Sequence, residues 1–302
     1  MGKCVLGVTN IWAVKRFIEP ETWVEITATK MEVSHVQFIL DTLDPASDEV
    51  ALDEMVTRTN EACKKYGVTI ESCFAGLSAY TYNLLMHPSA AMRRSAFNWY
   101  AKAFRLAGRL GAKSMGGPIG ALSARDYDDP VRRELVISDL LDSVRSLGWL
   151  GRDLGIEYAL LEPMPVPREP PSTIQECRTI LERANKDAPL PVRLCIDVGH
   201  ACNPESKVAE DHDPYAWLTE LGTESPVVHL QQTDGKTDRH WPFTAEYNRV
   251  GIIQPQKVIS ALDASGASET HLYFECLGPF EQPVDDVLRD MVESVRYWKG
   301  FV

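Results

Sequence analysis

Apolar residues occur along this chain in short runs that alternate with longer segments of helical periodicity. The eight short runs, each typical of a buried strand, cover residues 4–9, 33–40, 68–73, 112–117, 157–162, 192–198, 227–231 and 270–276. The clearest helical segments cover residues 48–66, 88–110, 130–154, 172–185 and 282–299. A strand and a helix repeated every 30 to 45 residues or so is the spacing of a βα unit. The pattern therefore predicts a parallel sheet.

Eight βα units predict closure into a (β/α)₈ TIM barrel, and a chain of 302 residues fits one such domain over residues 1–302. The alternative is an open, doubly wound sheet, which would spread functional residues along one crevice. Helix ends are also marked, because Gly67, Gly111 and Gly155 each follow a helical segment and suit a left-handed cap. A capping box from Ser172 to Gln175 predicts the start of the fifth helix.

Each of the last four predicted strands ends in a residue that can bind a divalent metal. These residues are Glu162, Asp197, His229 and Glu275. In a parallel barrel the carboxyl ends of the strands meet at the face that carries the active site. A single residue of this kind could be a polar residue at a strand end without a binding role, but four on consecutive strands favour a metal site. Carboxylate oxygens with one imidazole suit Mn²⁺, Mg²⁺ or Co²⁺ better than a structural zinc.

The net charge of the chain indicates which classes of partner it can bind. Acidic residues outnumber basic ones, which gives a net charge of −12, and such a surface repels phosphate backbones and anionic lipid. We therefore expect no nucleic-acid and no membrane partner, although a small anionic substrate responds to the local field of its pocket. The first residues, MGKCVLGVTN, do not resemble a signal peptide. Seven scattered cysteines without a CxxC pair predict a reduced, cytoplasmic protein.

The strand ends also carry a family resemblance. The motifs in question are Glu162-Pro-Met-Pro, Asp197-Val-Gly-His200, His229-Leu-Gln and Phe274-Glu275. They resemble the xylose-isomerase-like sugar isomerase/epimerase family, and the ketose 3-epimerases in particular, over nearly the whole chain. The resemblance implies that the four candidate ligands bind one divalent ion and that the two glutamates form the acid/base pair. It further implies that His200 contacts substrate oxygens and that the protein is a possible homo-oligomer.

The chemistry of such enzymes explains the residue types. A divalent metal that contacts a carbonyl and a neighbouring hydroxyl stabilises the enediolate formed when a proton leaves carbon. Inversion then needs a base on one face of that carbon and an acid on the other, and two opposed carboxylates such as Glu162 and Glu275 supply both. An aldose–ketose isomerase could use the same four ligands. These residues alone therefore leave epimerase and isomerase open.

The segment after the seventh strand, residues 233–244, is rich in polar and basic residues. It is either an ordinary surface loop or a lid that holds an anion. On the second interpretation, Lys236, Arg239 and His240 bind a phosphate together with Arg168 of the fifth βα loop, and Trp241 covers the sugar.

This segment departs from the free-sugar 3-epimerases in one respect. Those enzymes carry an arginine six residues after the histidine ligand, where this chain has Gly235. The departure disfavours free hexoses and favours a small ketose or ketose phosphate. The segment 233–244 and the proline-rich run 162–172 together resemble the tetrulose-phosphate epimerase branch of the family. The resemblance implies erythrulose 1-phosphate as the substrate and inversion at C3.

Two other function classes fit the sequence less well. The same barrel superfamily contains metal-dependent abasic-site endonucleases, which need more histidine ligands and a basic groove. A chain with seven histidines and an acidic balance fits them poorly. A non-catalytic binding protein on a degenerate barrel would have lost part of the ligand set, whereas all four positions are occupied here. A 3-epimerase of unphosphorylated ketoses remains a nearer alternative.

Overall fold

The computed structural model describes residues 2–302. Within that range, eight parallel strands pair in sequence order to form a closed barrel. Strands β1 to β8 are Lys3–Thr9, His35–Ile39, Thr69–Phe74, Ser114–Gly117, Tyr158–Leu161, Val192–Asp197, Val227–Leu230 and Glu269–Phe274. The barrel closes between β1 and β8, where Lys3 lies opposite Glu269 and Val8 opposite Phe274. The predicted TIM barrel is confirmed, and the open doubly wound alternative is wrong.

The longer helices follow the strands in alternation. Helices α1 to α11 are Pro20–Thr29, Glu49–Tyr66, Leu77–Tyr80, Ala90–Arg109, Ala124–Asp128, Pro130–Asp153, Ile174–Asn185, Pro214–Leu221, Ala245–Val250, Pro255–Ser265 and Val284–Lys299. Helix α11 shows why they form, because Val287, Met291, Val295 and Trp298 recur on one face and are buried. Among residues 2–302, no helix combines the length and apolarity needed to cross a lipid bilayer.

The predicted helix ends are confirmed in part. Gly67, Gly111 and Gly155 have φ values of 68°, 73° and 80°, the left-handed region in which glycine is favoured. The predicted capping box of α7 lies one residue further along. Thr173 is the residue that accepts the backbone N–H of Glu176, and the Glu176 carboxylate accepts the backbone N–H of Ser172. The box shifts because Glu176 has a full charge, which makes it the stronger acceptor.

An apolar layer inside the barrel supports the polar residues at its mouth. Its buried side chains include Leu160, Cys195, Val227 and Tyr273, one from each of the last four strands. Because strand residues two apart share a face, the next positions on that face are the four candidate ligands. The fold thus places those ligands on top of a packed floor, at the carboxyl ends of β5 to β8.

Candidate active site

Four neighbouring strands bring the candidate ligands together. Glu162 follows β5 directly, Asp197 is the last residue of β6, His229 lies within β7, and Glu275 follows β8 directly. All four are buried, and one possible ligand atom from each lies within 4.8 Å of the others. The convergence that the sequence predicts is therefore present in the fold.

The distances centre on the Nδ1 atom of His229. This nitrogen lies 2.9 Å from Oε2 of Glu275, 3.3 Å from Oε1 of Glu162 and 3.9 Å from Oδ2 of Asp197. Within residues 2–302, neither His229 Nδ1 nor Asp197 Oδ2 has a hydrogen-bond partner, although both are buried. Burial raises the pKa of Asp197 to about 6 and outweighs the charges of His200 and His240, which act in the opposite direction. Three converging carboxylates and an unpaired imidazole nitrogen fit a divalent cation.

A residue behind His229 orients its ring. The Nε2 atom of His229 lies 2.5 Å from Oε1 of Gln37, and the Gln37 amide in turn donates to the Ser72 hydroxyl at 3.2 Å. Because an amide oxygen only accepts, Nε2 carries the proton and the lone pair of Nδ1 faces the carboxylates. Sequence reasoning missed Gln37 and Ser72. The available signal was a polar residue at an inward position of each of the strands β2 and β3.

Replacing Gln37 by leucine is expected to weaken binding of a divalent cation at the four candidate ligands by about 10- to 100-fold, because His229 loses the acceptor that fixes its tautomer. Calorimetric titration with MnCl₂ measures the affinity. Gln37→Glu keeps an acceptor at that position and should lose less affinity. Gln175→Leu, on the exposed face of α7, is the matched control. An unchanged affinity in Gln37→Leu would show that the ring needs no such support.

A second polar group borders the four ligands. Asp238, from the loop after β7, lies between two histidines, with Oδ2 3.0 Å from Nε2 of His240 and 3.5 Å from Nε2 of His200. The other ring nitrogen of His240 is 3.0 Å from the backbone carbonyl of Glu275. Burial lowers the pKa of His240, but the hydrogen bond and charge of Asp238 outweigh it and raise the pKa to about 9. His240 is therefore a cationic donor at neutral pH.

Gln231 connects this group to the ligands. Its amide nitrogen donates to Asp197 at 3.0 Å and to Asp238 at 2.7 Å, and its oxygen accepts the backbone N–H groups of Arg239 and His240. His200 is held separately, since its Nδ1 donates to the carbonyl of Pro163 at 2.9 Å. The loop after β7 thus reaches into the site through Asp238, which sequence reasoning missed while it considered only the basic residues of that loop.

A cavity of about 150 Å³ lies over the ligands. Glu162, Glu275, His200, His240 and Asp238 line it, together with apolar and aromatic residues of the β1, β3 and β8 loops. Of the predicted substrate contacts, His200 and His240 therefore lie at the site.

The other four predicted contacts, all in the described part of the chain, lie outside this cavity. Arg168 is exposed, and so is Lys236. The guanidinium of Arg239 pairs with Asp234 at 2.8 Å and lies 5.1 Å from the ring centre of Trp241. Trp241 in turn stacks on Tyr247. In this arrangement Arg239 and Trp241 are engaged in contacts within the loop and with α9.

The fold and the site together define a class of protein: a TIM barrel with an oxygen-rich, divalent-metal-type centre at the carboxyl ends of its strands. The sequence pattern described as xylose isomerase-like TIM barrel matches residues 27–297. The chain belongs to this family.

Individual relatives resemble the chain over most of its length. A protein of Brucella abortus (strain 2308) named D-erythrulose 1-phosphate 3-epimerase is 29% identical over 287 residues, which cover 94% of this chain and 92% of the relative. A crystal structure from Rhodospirillum rubrum ATCC 11170, provisionally named xylose isomerase, is 30% identical with a TM-score of 0.92, covering 98% of this chain and 99% of the other.

More distant structures share the fold. A D-psicose 3-epimerase crystallised in the presence of D-fructose is 16% identical with a TM-score of 0.68, covering 100% of this chain and 98% of that one. At this identity the similarity shows the architecture alone.

Proposed function

We propose that this protein is a metal-dependent 3-epimerase of a small ketose phosphate, with erythrulose 1-phosphate as its substrate. The observation that carries the proposal is the pair of buried carboxylates, Glu162 and Glu275, which come from β5 and β8 and flank the ligands of β6 and β7. The name of the Brucella relative supports the substrate.

The two carboxylates perform complementary proton transfers. One of them removes the proton from C3, and the electron pair of the broken C–H bond passes to the neighbouring carbonyl oxygen as the enediolate forms. The other delivers a proton to C3 on the opposite face, which inverts the carbon and restores the carbonyl. Glu162 and Glu275 exchange these roles with the direction of the reaction.

We propose that Glu162, Asp197, His229 and Glu275 bind one divalent ion, Mn²⁺, Mg²⁺ or Co²⁺, because three of the four donors are carboxylates. When bound, such an ion stabilises the negative charge of the enediolate. The protein positions the substrate with two further groups. Nε2 of His200 has no hydrogen-bond partner within residues 2–302, so it can contact a substrate hydroxyl, and His240 lines the same cavity with its ring held by Asp238 and the carbonyl of Glu275. All seven cysteines are free thiols, which supports a cytoplasmic location.

The test follows the C3 proton of D-erythrulose 1-phosphate in heavy water with added MnCl₂. Erythrulose has a single stereocentre, so its epimers are mirror images and have identical proton NMR spectra. We therefore expect the C3–H signal to disappear as deuterium enters, while the optical rotation falls to zero. A retained C3 proton and a constant rotation would contradict the proposal.

The nearer alternatives give different products in the same assay. An aldose–ketose isomerase moves the carbonyl to a terminal carbon that carries a free hydroxyl, which C1 of a 1-phosphate does not, so it would act on ketoses with a free C1 hydroxyl and give a new aldehyde carbon in the ¹³C spectrum. A 3-epimerase of unphosphorylated ketoses would turn over free erythrulose with a higher kcat/KM than the phosphate ester. Running tetrulose, pentulose and hexulose phosphates in parallel identifies the preferred chain length.

A further inference from the structure

A groove of about 740 Å³ adjoins the cavity over the ligands. The two spaces share three wall residues, Ile11, Leu77 and Leu277, from the loops after β1, β3 and β8. A substrate with its C3 carbon at the carboxylates can therefore extend one end past these apolar side chains into the groove. In a 1-phosphoketose the phosphate is only a few bonds from C3, so it would lie at this junction.

Two cations from the loop after β1 line the groove. Lys15 has a φ of 60°, a backbone conformation that residues with a side chain seldom adopt and that occurs preferentially at functional sites. Its ammonium lies 4.4 Å from the ring centre of Phe280. Arg16 donates through Nη2 to the carbonyl of Pro279 at 2.5 Å, while its Nε is buried and lacks a hydrogen-bond partner within residues 2–302. Lys15 is exposed, so its ammonium donors remain available, and Arg16 keeps one donor that no group within residues 2–302 accepts.

Within residues 2–302, neither of these two cations forms an ion pair with a carboxylate. Their contacts are the ring of Phe280 and the carbonyl of Pro279, whereas Arg239 of the β7 loop is paired with Asp234. Asp41 also lines the groove and offsets one of the two positive charges, with one carboxylate oxygen accepting the backbone N–H of Ser78 at 2.7 Å. The groove therefore has an excess of positive charge, which an acidic protein needs in order to hold a dianion.

We infer that Lys15 and Arg16 form an anion subsite that holds the phosphate group of the substrate. The inference rests on the proposed function, since it supposes a ketose phosphate at the carboxylates. It assigns the phosphate to the β1 loop instead of Lys236, Arg239 and Arg168. Ammonium and guanidinium donors beside an apolar passage match a small sugar with one charged end.

Steady-state kinetics with D-erythrulose 1-phosphate and with free erythrulose test the assignment. Lys15→Gln and Arg16→Gln should each raise KM for the phosphate ester by about tenfold or more, the usual loss for a charge-assisted hydrogen bond. Their kcat/KM for free erythrulose should stay within about twofold of the wild type. Lys102→Gln and Arg105→Gln, on the exposed face of α4, remove the same charges elsewhere and should change neither value.

Three results would overturn the inference while the proposed function stands: an unchanged KM in both variants, an equal rise for both substrates, or a larger rise in Lys236→Gln or Arg239→Gln. Losing the Pro279 contact could disturb the loop in Arg16→Gln. Arg16→Lys is the control, because it keeps the positive charge and should recover most of the affinity lost in Arg16→Gln. Binding of inorganic phosphate, measured by calorimetry, is independent of turnover. If the wild type binds phosphate and Lys15→Gln does not, the subsite is supported even where no epimerase activity is found.

Discussion

Glu162→Gln and Glu275→Gln are each expected to reduce kcat by at least about 100-fold, because each removes one of the two groups that we propose transfer the C3 proton. An amide cannot take up or deliver that proton, although its shape is nearly unchanged. The measurement is the rate of deuterium entry at C3 of D-erythrulose 1-phosphate in heavy water. Folding should be retained, because either substitution removes one of three converging buried carboxylates and so relieves repulsion.

Glu269→Gln is the matched control for this pair. Glu269 lies at the opposite end of β8, six positions before Glu275, and its carboxylate pairs with Lys3 at the barrel surface. Its substitution should leave kcat within about twofold of the wild type, as for most exposed ion pairs. If Glu162→Gln or Glu275→Gln kept near-full activity with the same melting temperature, the mechanism with two carboxylates would be wrong.

Removal of divalent cations by a chelator is expected to stop turnover and to lower the thermal stability of the protein. A ligand that binds only the folded state at 100 times its dissociation constant stabilises it by about 2.7 kcal/mol. For a chain of this size that corresponds to a rise in melting temperature of roughly 5 °C. Differential scanning calorimetry with and without MnCl₂ measures the shift, and readdition of MnCl₂ should restore activity.

Asp197→Asn separates a metal effect at this site from a general salt effect. The variant keeps the size of the side chain but removes a charge from the ligand set, so the MnCl₂-dependent rise in melting temperature should shrink or disappear. Asp285→Asn, at an exposed position in the first turn of α11, removes the same charge outside the ligand set and the cavity lining and should retain the full rise. Full activity in the presence of chelator, with no change in melting temperature, would contradict the metal site.

Much of the site could be predicted from the sequence because its components are local. A short apolar run predicts a strand, and because its side chains alternate between two faces, the sequence also predicts which residue points inward at the end of the strand. Four strands of this kind were enough to predict Glu162, Asp197, His229 and Glu275. His200 followed from its position three residues after Asp197, through the family resemblance.

Candidate phosphate contacts are harder to predict than the ligands. Lys236 and Arg239 have the right chemistry, but the sequence does not tell where a polar loop directs its side chains. In the fold, Arg239 pairs with Asp234 within the same loop, and it is the acidic Asp238 that reaches the histidines. Basic residues in a loop are therefore weak evidence for an anion site until their own partners are known.

The amino-acid sequence was sufficient to determine the barrel, its eight βα units and the four residues at the ends of its last strands. Each of these features depends on a pattern of apolar residues within a short segment of the sequence. Tertiary structure alone decided the support of His229 by Gln37, which is 192 positions away in sequence. It also decided that the loop of Lys15 and Arg16 lies beside the cavity over the ligands. Both depend on closure of β1 against β8, which brings the two ends of the chain together and which no local pattern encodes.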